Sequence, residues 1–373
     1  MINTLNAEKL KFANLTSDLK LTGKAFNDEG YNIAIRRAIL DLTARTLRPK
    51  CTDASEKLKA KLLDEINPNS FFNQLKRYFE LTSISEEDFD KWHHDRCDEV
   101  LAEIQKFYTN GDRDSTPVHY GKAQKILNIT FKGCYCLEGA EQKEALFKHC
   151  HMPLDSFTLE WFFREVVTRW WNNQNQGGRD NRINKTQLNS WSNIDYLNSN
   201  VGVSTDARIE RYKDDNSTRT KDGFYHYVFI QDIIRAFLSA PEPGTPEQNK
   251  HRGRTVLQSE FFIWPEIQLH LSAEALFSQS IGEEEIFCKL QEMLSIKHQK
   301  EISMMEQELG KAQKKGLKKA TDIEQKIIKL KGGKDMAAAR DIYRDMPLSD
   351  KISLLAEKIN ILLRYCNLEN DYR

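Results

Sequence analysis

The stretch Tyr120-Gly-Lys-Ala-Gln-Lys-Ile-Leu-Asn-Ile-Thr-Phe-Lys-Gly-Cys-Tyr-Cys-Leu137 carries Ala123, Ile126, Leu127, Thr130, Cys134 and Leu137 three or four residues apart, one apolar face of a helix. A second stretch, Phe157-Thr-Leu-Glu-Trp-Phe-Phe-Arg-Glu-Val-Val-Thr-Arg-Trp-Trp171, puts Leu159, Phe162, Phe163, Val166, Val167 and Trp170 around most of a helical circumference. The two patterns predict helices packed against each other at the centre of the chain, with polar residues of the first left on its wet side. Lys125, Asn128 and Lys132 are spaced by three and four residues and so share a helical face.

Between these helices the chain concentrates Cys134, Cys136, His149, Cys150, His151 and Asp155, side chains that ligate zinc well. The spacing does not suit zinc, because two helical residues at i and i+2 point about 200° apart. Asp155 follows Pro153 and precedes an apolar helical run, the position of an N-cap, so structural roles account for the cluster. The catalytic alternative pairs His151 with Asp155 as acid and base. No metal is assigned, and no cofactor follows from the residues. The Lys125, Asn128, Lys132 row could grip a nucleic-acid backbone, joined by Arg164 and Arg169 if the helices run antiparallel; ordinary helix solvation explains the same row.

Working outward towards the N-terminus, Asn27-Asp-Glu opens a helix that ends near Arg48-Pro49, since proline disfavours helix in the residue before it. Its basic residues, Arg36, Arg37, Arg45, Arg48 and Lys50, read as a solvated face or a phosphate-contacting one. Further helices are expected at 55–66, 70–81 and 85–109, the last opening on Ser85-Glu-Glu-Asp. His93-His94 are adjacent, so at most one of them would usually face a common ion, and both are expected at the surface.

Beyond Trp171 the polar run 172–223 reads as a long insertion pinned at Trp191, Tyr196 and Tyr212. Phe224 to Leu238 returns as a buried helix. Glu260 and Glu266 bracket the aromatic Phe-Phe-Ile-Trp-Pro, where a carboxylate would form a buried ion pair with an arginine or act with a raised pKa. After residue 282, apolar or small residues at Ile302, Met305, Leu309, Ala312, Gly316, Ala320, Ile323, Ile327 and Leu330 repeat like a coiled-coil seam with a stutter. A further stripe, Ile352, Leu355, Ile359 and Leu362, completes a protruding helical hairpin. The densest basic run, Lys311 to Lys319, lies in it and includes Lys314, Lys315 and Lys318.

The expected architecture is therefore mainly α: a helical array over 1–110, a multi-helical core over 111–282 interrupted by the polar insertion, and a coiled-coil-like hairpin over 283–373. A charged fraction of 29%, a hydrophobic fraction of 39% and a mean hydropathy of −0.64 fit long solvated helices. With 55 basic and 55 acidic side chains the net charge is zero, so any polyanion must be met by a local patch and not by the overall field. Seven scattered cysteines and no apolar leader or membrane-length segment point to a cytoplasmic protein with reduced thiols.

Walker, dinucleotide-glycine, His-Glu-x-x-His and Gly-x-Ser-x-Gly signatures are absent. Arg113 to His119 and Arg219 to His226 match a ribonuclease-like spacing no better than chance. Two functions follow as expectations. The first is a nucleic-acid-associated binding protein, nuclease-like at most, using the lysine row, Arg164 and Lys314, Lys315 and Lys318. The second is a non-enzymatic assembly protein whose hairpin binds a protein partner or a second copy. Neither requires a membrane.

Overall fold

Asn27 is extended and its side chain accepts the Gly30 N–H at 3.1 Å, which starts helix α2 (Asp28–Thr46) after an N-terminal α1 (Ile2–Asn14). The computed structural model describes residues 2–14, 19–110, 117–171, 194, 205–214, 226–239, 251, 253–280, 303–309 and 311. Helix α3 (Ala54–Leu62) follows; α4 (Phe71–Glu80) and α5 (Glu86–Phe107) are capped by Ser70 and Ser85, as their sequences predict. The helix expected to reach Ile66 stops at Leu62, and Ile66 is 94% exposed.

Arg48 precedes proline and leaves the helical region, so Leu47–Pro49 becomes a short strand, β1. It pairs antiparallel with β2 (Tyr108–Asn110), Leu47 opposite Asn110, and ties the ends of α2 and α5 together. Of the expected basic face, Arg36, Arg48 and Lys50 are exposed, Arg36 donating to Asn32 and Lys50 to the Gln105 carbonyl, whereas Arg37 is buried and donates to the Phe12 and Ala13 carbonyls.

Helix α6 (Tyr120–Tyr135) is buried on every side, Lys125 alone being half-buried. Its principal partners are α2 and α5. Gly133 allows the α2 approach, because a methyl group there would stand 3.0 Å from the Ala34 side chain. Phe131 enters an aromatic cluster with Tyr78, Phe79, Phe89 and Trp92 at centroid distances from 5.2 to 5.9 Å. Cys134 and Cys150 are buried thiols, and Cys136 points at the Lys9 carbonyl.

A 3-10 turn (Ala140–Lys143) and α7 (Glu144–Phe147) lead to α8 (Ser156–Trp161), which continues without a break into a π-helix (Phe162–Trp171). Both halves of the central pair are thus helical. The second packs against α10 (Tyr227–Ser239), with Trp171 and Phe229 rings 6.2 Å apart, and not chiefly against α6. Within the polar 172–223 run, Thr205–Asp214 is a helix, α9, in which Thr205 and Arg208 are buried. Trp191 and Tyr196 lie outside the described residues, as does the side chain of Tyr212. The last described long helix is α11 (Val256–Ser280), with Pro265 inside it.

Among the described residues 73% are helical and 4% strand, so the chain is mainly α. It divides into two compact units, Met1–Ile267 and Gln268–Arg373. In the second, 303–309 is helical with Met305 and Leu309 half-buried and the five residues 303, 304 and 306–308 exposed. The rest of the hairpin, including Lys314, Lys315 and Lys318, lies outside the described residues. No described helix is long and apolar enough to cross a membrane.

Candidate functional site

Four helices bring polar side chains to one buried point, each by helical spacing. Helix α5 supplies Glu86, Asp90, His93 and Cys97 at steps of four, three and four; α6 supplies Gln124 and Asn128. Helix α10 supplies Tyr227, Gln231 and Arg235 on one face with Asp232 beside them, and α9 supplies Thr205 and Arg208. The segment before α8 adds His149, His151 and the Met152 carbonyl. Asp90, His93, Asn128, His151, Arg208 and Asp232 are each no more than 1% exposed.

Asp90 accepts four hydrogen bonds. Arg235 grips it with both terminal nitrogens at 2.7 and 2.8 Å, Arg208 Nη2 donates at 2.7 Å, and His151 Nε2 at 3.0 Å. Arg208 also takes Asp232 side-on, Nε and Nη2 each 2.7 Å from a carboxylate oxygen. Two carboxylates and two guanidinium groups therefore balance inside the protein. Glu86, 26% exposed, stands at the rim, 3.9 Å from Arg235, and accepts from the Thr205 N–H and hydroxyl.

The neutral partners have defined directions. Asn128 Nδ2 donates to Gln124 Oε1 at 2.8 Å and to the Tyr227 hydroxyl at 2.9 Å, which leaves its Oδ1 to accept from His93 Nε2 at 2.9 Å. Tyr227 then donates to His151 Nδ1 at 2.8 Å, and the proton on His151 Nε2 points at Asp90. The opposite tautomer would set two acceptors, Nε2 and Asp90 Oδ1, 3.0 Å apart, though it would let Nε2 accept from Arg235 Nη2, 2.8 Å away; with the proton on Nε2, that Nη2 is taken by Asp90 Oδ1 at 2.7 Å. Donors from His93 through Asn128, Tyr227 and His151 thus align in one sense and end on the Asp90 carboxylate, an arrangement in which each bond polarises the next.

Charge follows from this geometry. Burial raises the Asp90 carboxyl, but Arg235 and the His151 hydrogen bond outweigh it and hold the group well below the usual carboxylate range. Burial, reinforced by Arg235, lowers the His151 imidazole to about 4. His93 is lowered well below its ordinary value, first by burial and then by His151. Both rings are neutral at physiological pH. Burial opposes the charge on Arg208 and Arg235, and Asp232 and Asp90 respectively outweigh it.

The residues singled out from the sequence fall differently. His151 is central, but its carboxylate partner is Asp90 of α5; Asp155 caps α8, accepting from Phe157 and Thr158 N–H in a capping box. Lys125, Asn128 and Lys132 do not form a wet row, because α2, α5, α10 and α11 cover the face predicted to be solvated: Lys125 pairs with Asp41 of α2 at 2.9 Å and Asn128 bonds to His93 of α5 and Tyr227 of α10 in the buried network. Lys132, 6% exposed, pairs with Glu260 and lies over the Phe12 and Phe261 rings. Arg164 is held by Glu160 at 2.5 Å, and the side chain of Arg169 lies outside the described set.

His93, expected at the surface, is fully buried, while its neighbour His94 stands near the surface beside Asp98. The sequence reading missed Asp90, Arg208, Asp232 and Arg235. The signal present was polar side chains at helical intervals inside otherwise apolar runs, most plainly Gln231, Asp232 and Arg235 within Val228 to Leu238.

Among the described residues no three His, Cys, Asp or Glu side chains are arranged as ligands of a metal ion. A surface hollow of about 480 Å³ lies away from the network, between α2 and α3, lined by Arg36, Glu56, Lys59 and Asp64. The fold and site define a mainly α protein built on a buried two-aspartate, two-arginine network. Against known protein families, curated proteins and solved structures, the chain has no match.

Proposed function

We propose that the chain is a non-enzymatic assembly protein, in which the charge network fixes the shape of the first unit and residues 283–373 dock a protein partner or a second copy. The observation that carries this reading is saturation. Asp90 is bonded to four donors and His151 through both ring nitrogens, so the side chains that resemble an acid–base set hold four chain segments together. Likewise, Lys125, Lys132 and Arg164 each face a carboxylate of the chain. The half-buried Met305 and Leu309, four residues apart among exposed neighbours, supply the beginning of a docking stripe.

Light scattering of the full chain at low and high salt tests the proposal, alone and with Met305→Asp and Leu309→Asp combined. Self-association that persists in high salt and is lost in the double variant is the expected outcome. The nucleic-acid reading retains the Lys311 to Lys319 run. It predicts polynucleotide affinity that falls steeply with salt and disappears when Lys314, Lys315 and Lys318 are made Glu. That result, with a monomer in light scattering, overturns the assembly proposal.

A further inference from the structure

Arg208 is the one member of the four-charge centre carried by a helix with little apolar substance. Six of the ten residues of Thr205–Asp214 are charged. Of its side chains from 205 to 209, Thr205 and Arg208 are buried, Ile209 is half-buried, and Asp206 and Ala207 are exposed. The two buried ones reach across to α5 and α10: Thr205 to Glu86, Arg208 to Asp90 and Asp232. Apolar burial normally supplies most of the free energy that seats a helix. Among its described side chains, the buried seat is made of hydrogen-bonded charge.

The seat itself is a built receptor. Asp232 presents both carboxylate oxygens to one edge of a guanidinium, Nε and Nη2, at 2.7 Å each, and Asp90 Oδ2 takes Nη2 from the far side at 2.7 Å. Both carboxylates are at least 99% buried, and both are positioned without α9: Asp90 by Arg235 and His151, Asp232 on the buried face of α10. Arg208 is the guanidinium that bridges Asp90 and Asp232, so its withdrawal leaves two buried carboxylates short of the cation they share. A planar fork satisfies the three oxygens together, whereas an ammonium group of the lysine type cannot span them with the same geometry.

We infer that the space between Asp90 and Asp232 is a guanidinium-binding slot occupied in cis by Arg208, and that α9 is a strap that yields this slot to an arginine side chain of a peptide partner. The partner's arginine replaces the strap's bond for bond, and the released Thr205–Asp214 segment reports that the slot has been taken.

The test uses the full chain with Arg208→Ala and methylguanidinium as the probe, with methylammonium at equal concentration as the control for ionic strength. The variant melts lower than the parent. Methylguanidinium raises its melting midpoint saturably, methylammonium does not, and adding Asp232→Asn abolishes the effect. Equal responses to the two cations overturn the slot.

Hydrogen exchange on the unsubstituted chain tests the strap independently, and stands even if Arg208→Ala does not fold. The expected result is that the amides of 205–214 open about tenfold or more often than those of α6, in a step of their own, and that N-acetyl-arginine amide increases that opening. Exchange of 205–214 only together with α6, or opening indifferent to the arginine amide, overturns the strap.

Discussion

Asp90 ties three other chain segments to α5, because two arginines and a histidine are positioned by it. Asp90→Asn keeps the shape, removes the charge that Arg208 and Arg235 share, and turns one acceptor into a donor facing donors. Breaking one partner of a buried ion pair costs about 3–5 kcal/mol, so against a typical stability of about 10 kcal/mol the urea midpoint of the variant falls by about a third to a half. The buried Lys132–Glu260 pair gives a contrasting case. Burial raises the Glu260 carboxyl despite Lys132, the mark of a pair whose desolvation is incompletely repaid. Lys132→Met alone is expected to destabilise by about 3 kcal/mol, whereas Lys132→Met with Glu260→Leu returns to within about 1 kcal/mol of the parent. A chemical-denaturation cycle measures the coupling.

At the scale of the element, caps and close approaches decide more than intrinsic propensity. Asp155→Ala removes the acceptor of two N–H groups at the start of α8 and is expected to cost about 1–2 kcal/mol. A catalytic Asp155 would instead lose activity at unchanged stability, so thermal melting separates the two roles. Gly30→Ala is predicted to destabilise, although alanine in a helix is favoured by about 1 kcal/mol over glycine. A methyl group there would run into the Ala25 carbonyl oxygen and stand 2.8 Å from a Leu137 methyl, both on the path where α2 leaves its N-cap. A lowered melting midpoint for Gly30→Ala, against a rise for an ordinary helical glycine, is the outcome to check.

For the whole molecule, the two neutral imidazoles set the response to pH. His151 titrates near 4 in the fold and near 6.5 in an unfolded chain, so the unfolded state binds more protons between those values. Its contribution is complete above about pH 6.5 and is lost as pH falls towards 4, about 3 kcal/mol over the window. His93, shifted in the same direction, adds to the loss. Glu260, shifted upward, offsets part of it by taking a proton in the fold. Asp90, held low, withdraws its contribution only below the usual carboxylate range. Urea midpoints should therefore fall between pH 7 and pH 5, and the fall should be smaller in His151→Gln.

The periodicities, caps and prolines determined that this chain is helical, and where most of its helices start, because those signals are local: Asn27, Ser70, Ser85 and Asp155 each satisfy an N–H two or three residues away. The polar residues of α6 were legible as polar but not as buried, since a helix cannot show from its own pattern which neighbours will cover it. Lys125 and Lys132 found Asp41 and Glu260, 84 and 128 residues distant along the chain. Asp90, His151, Arg208 and Arg235 come from four separate segments, and their meeting is a property of packing alone. Isolated charges at helical spacing are stable on a surface or in a core only if partnered, and only the tertiary structure decides which of these conditions each one meets.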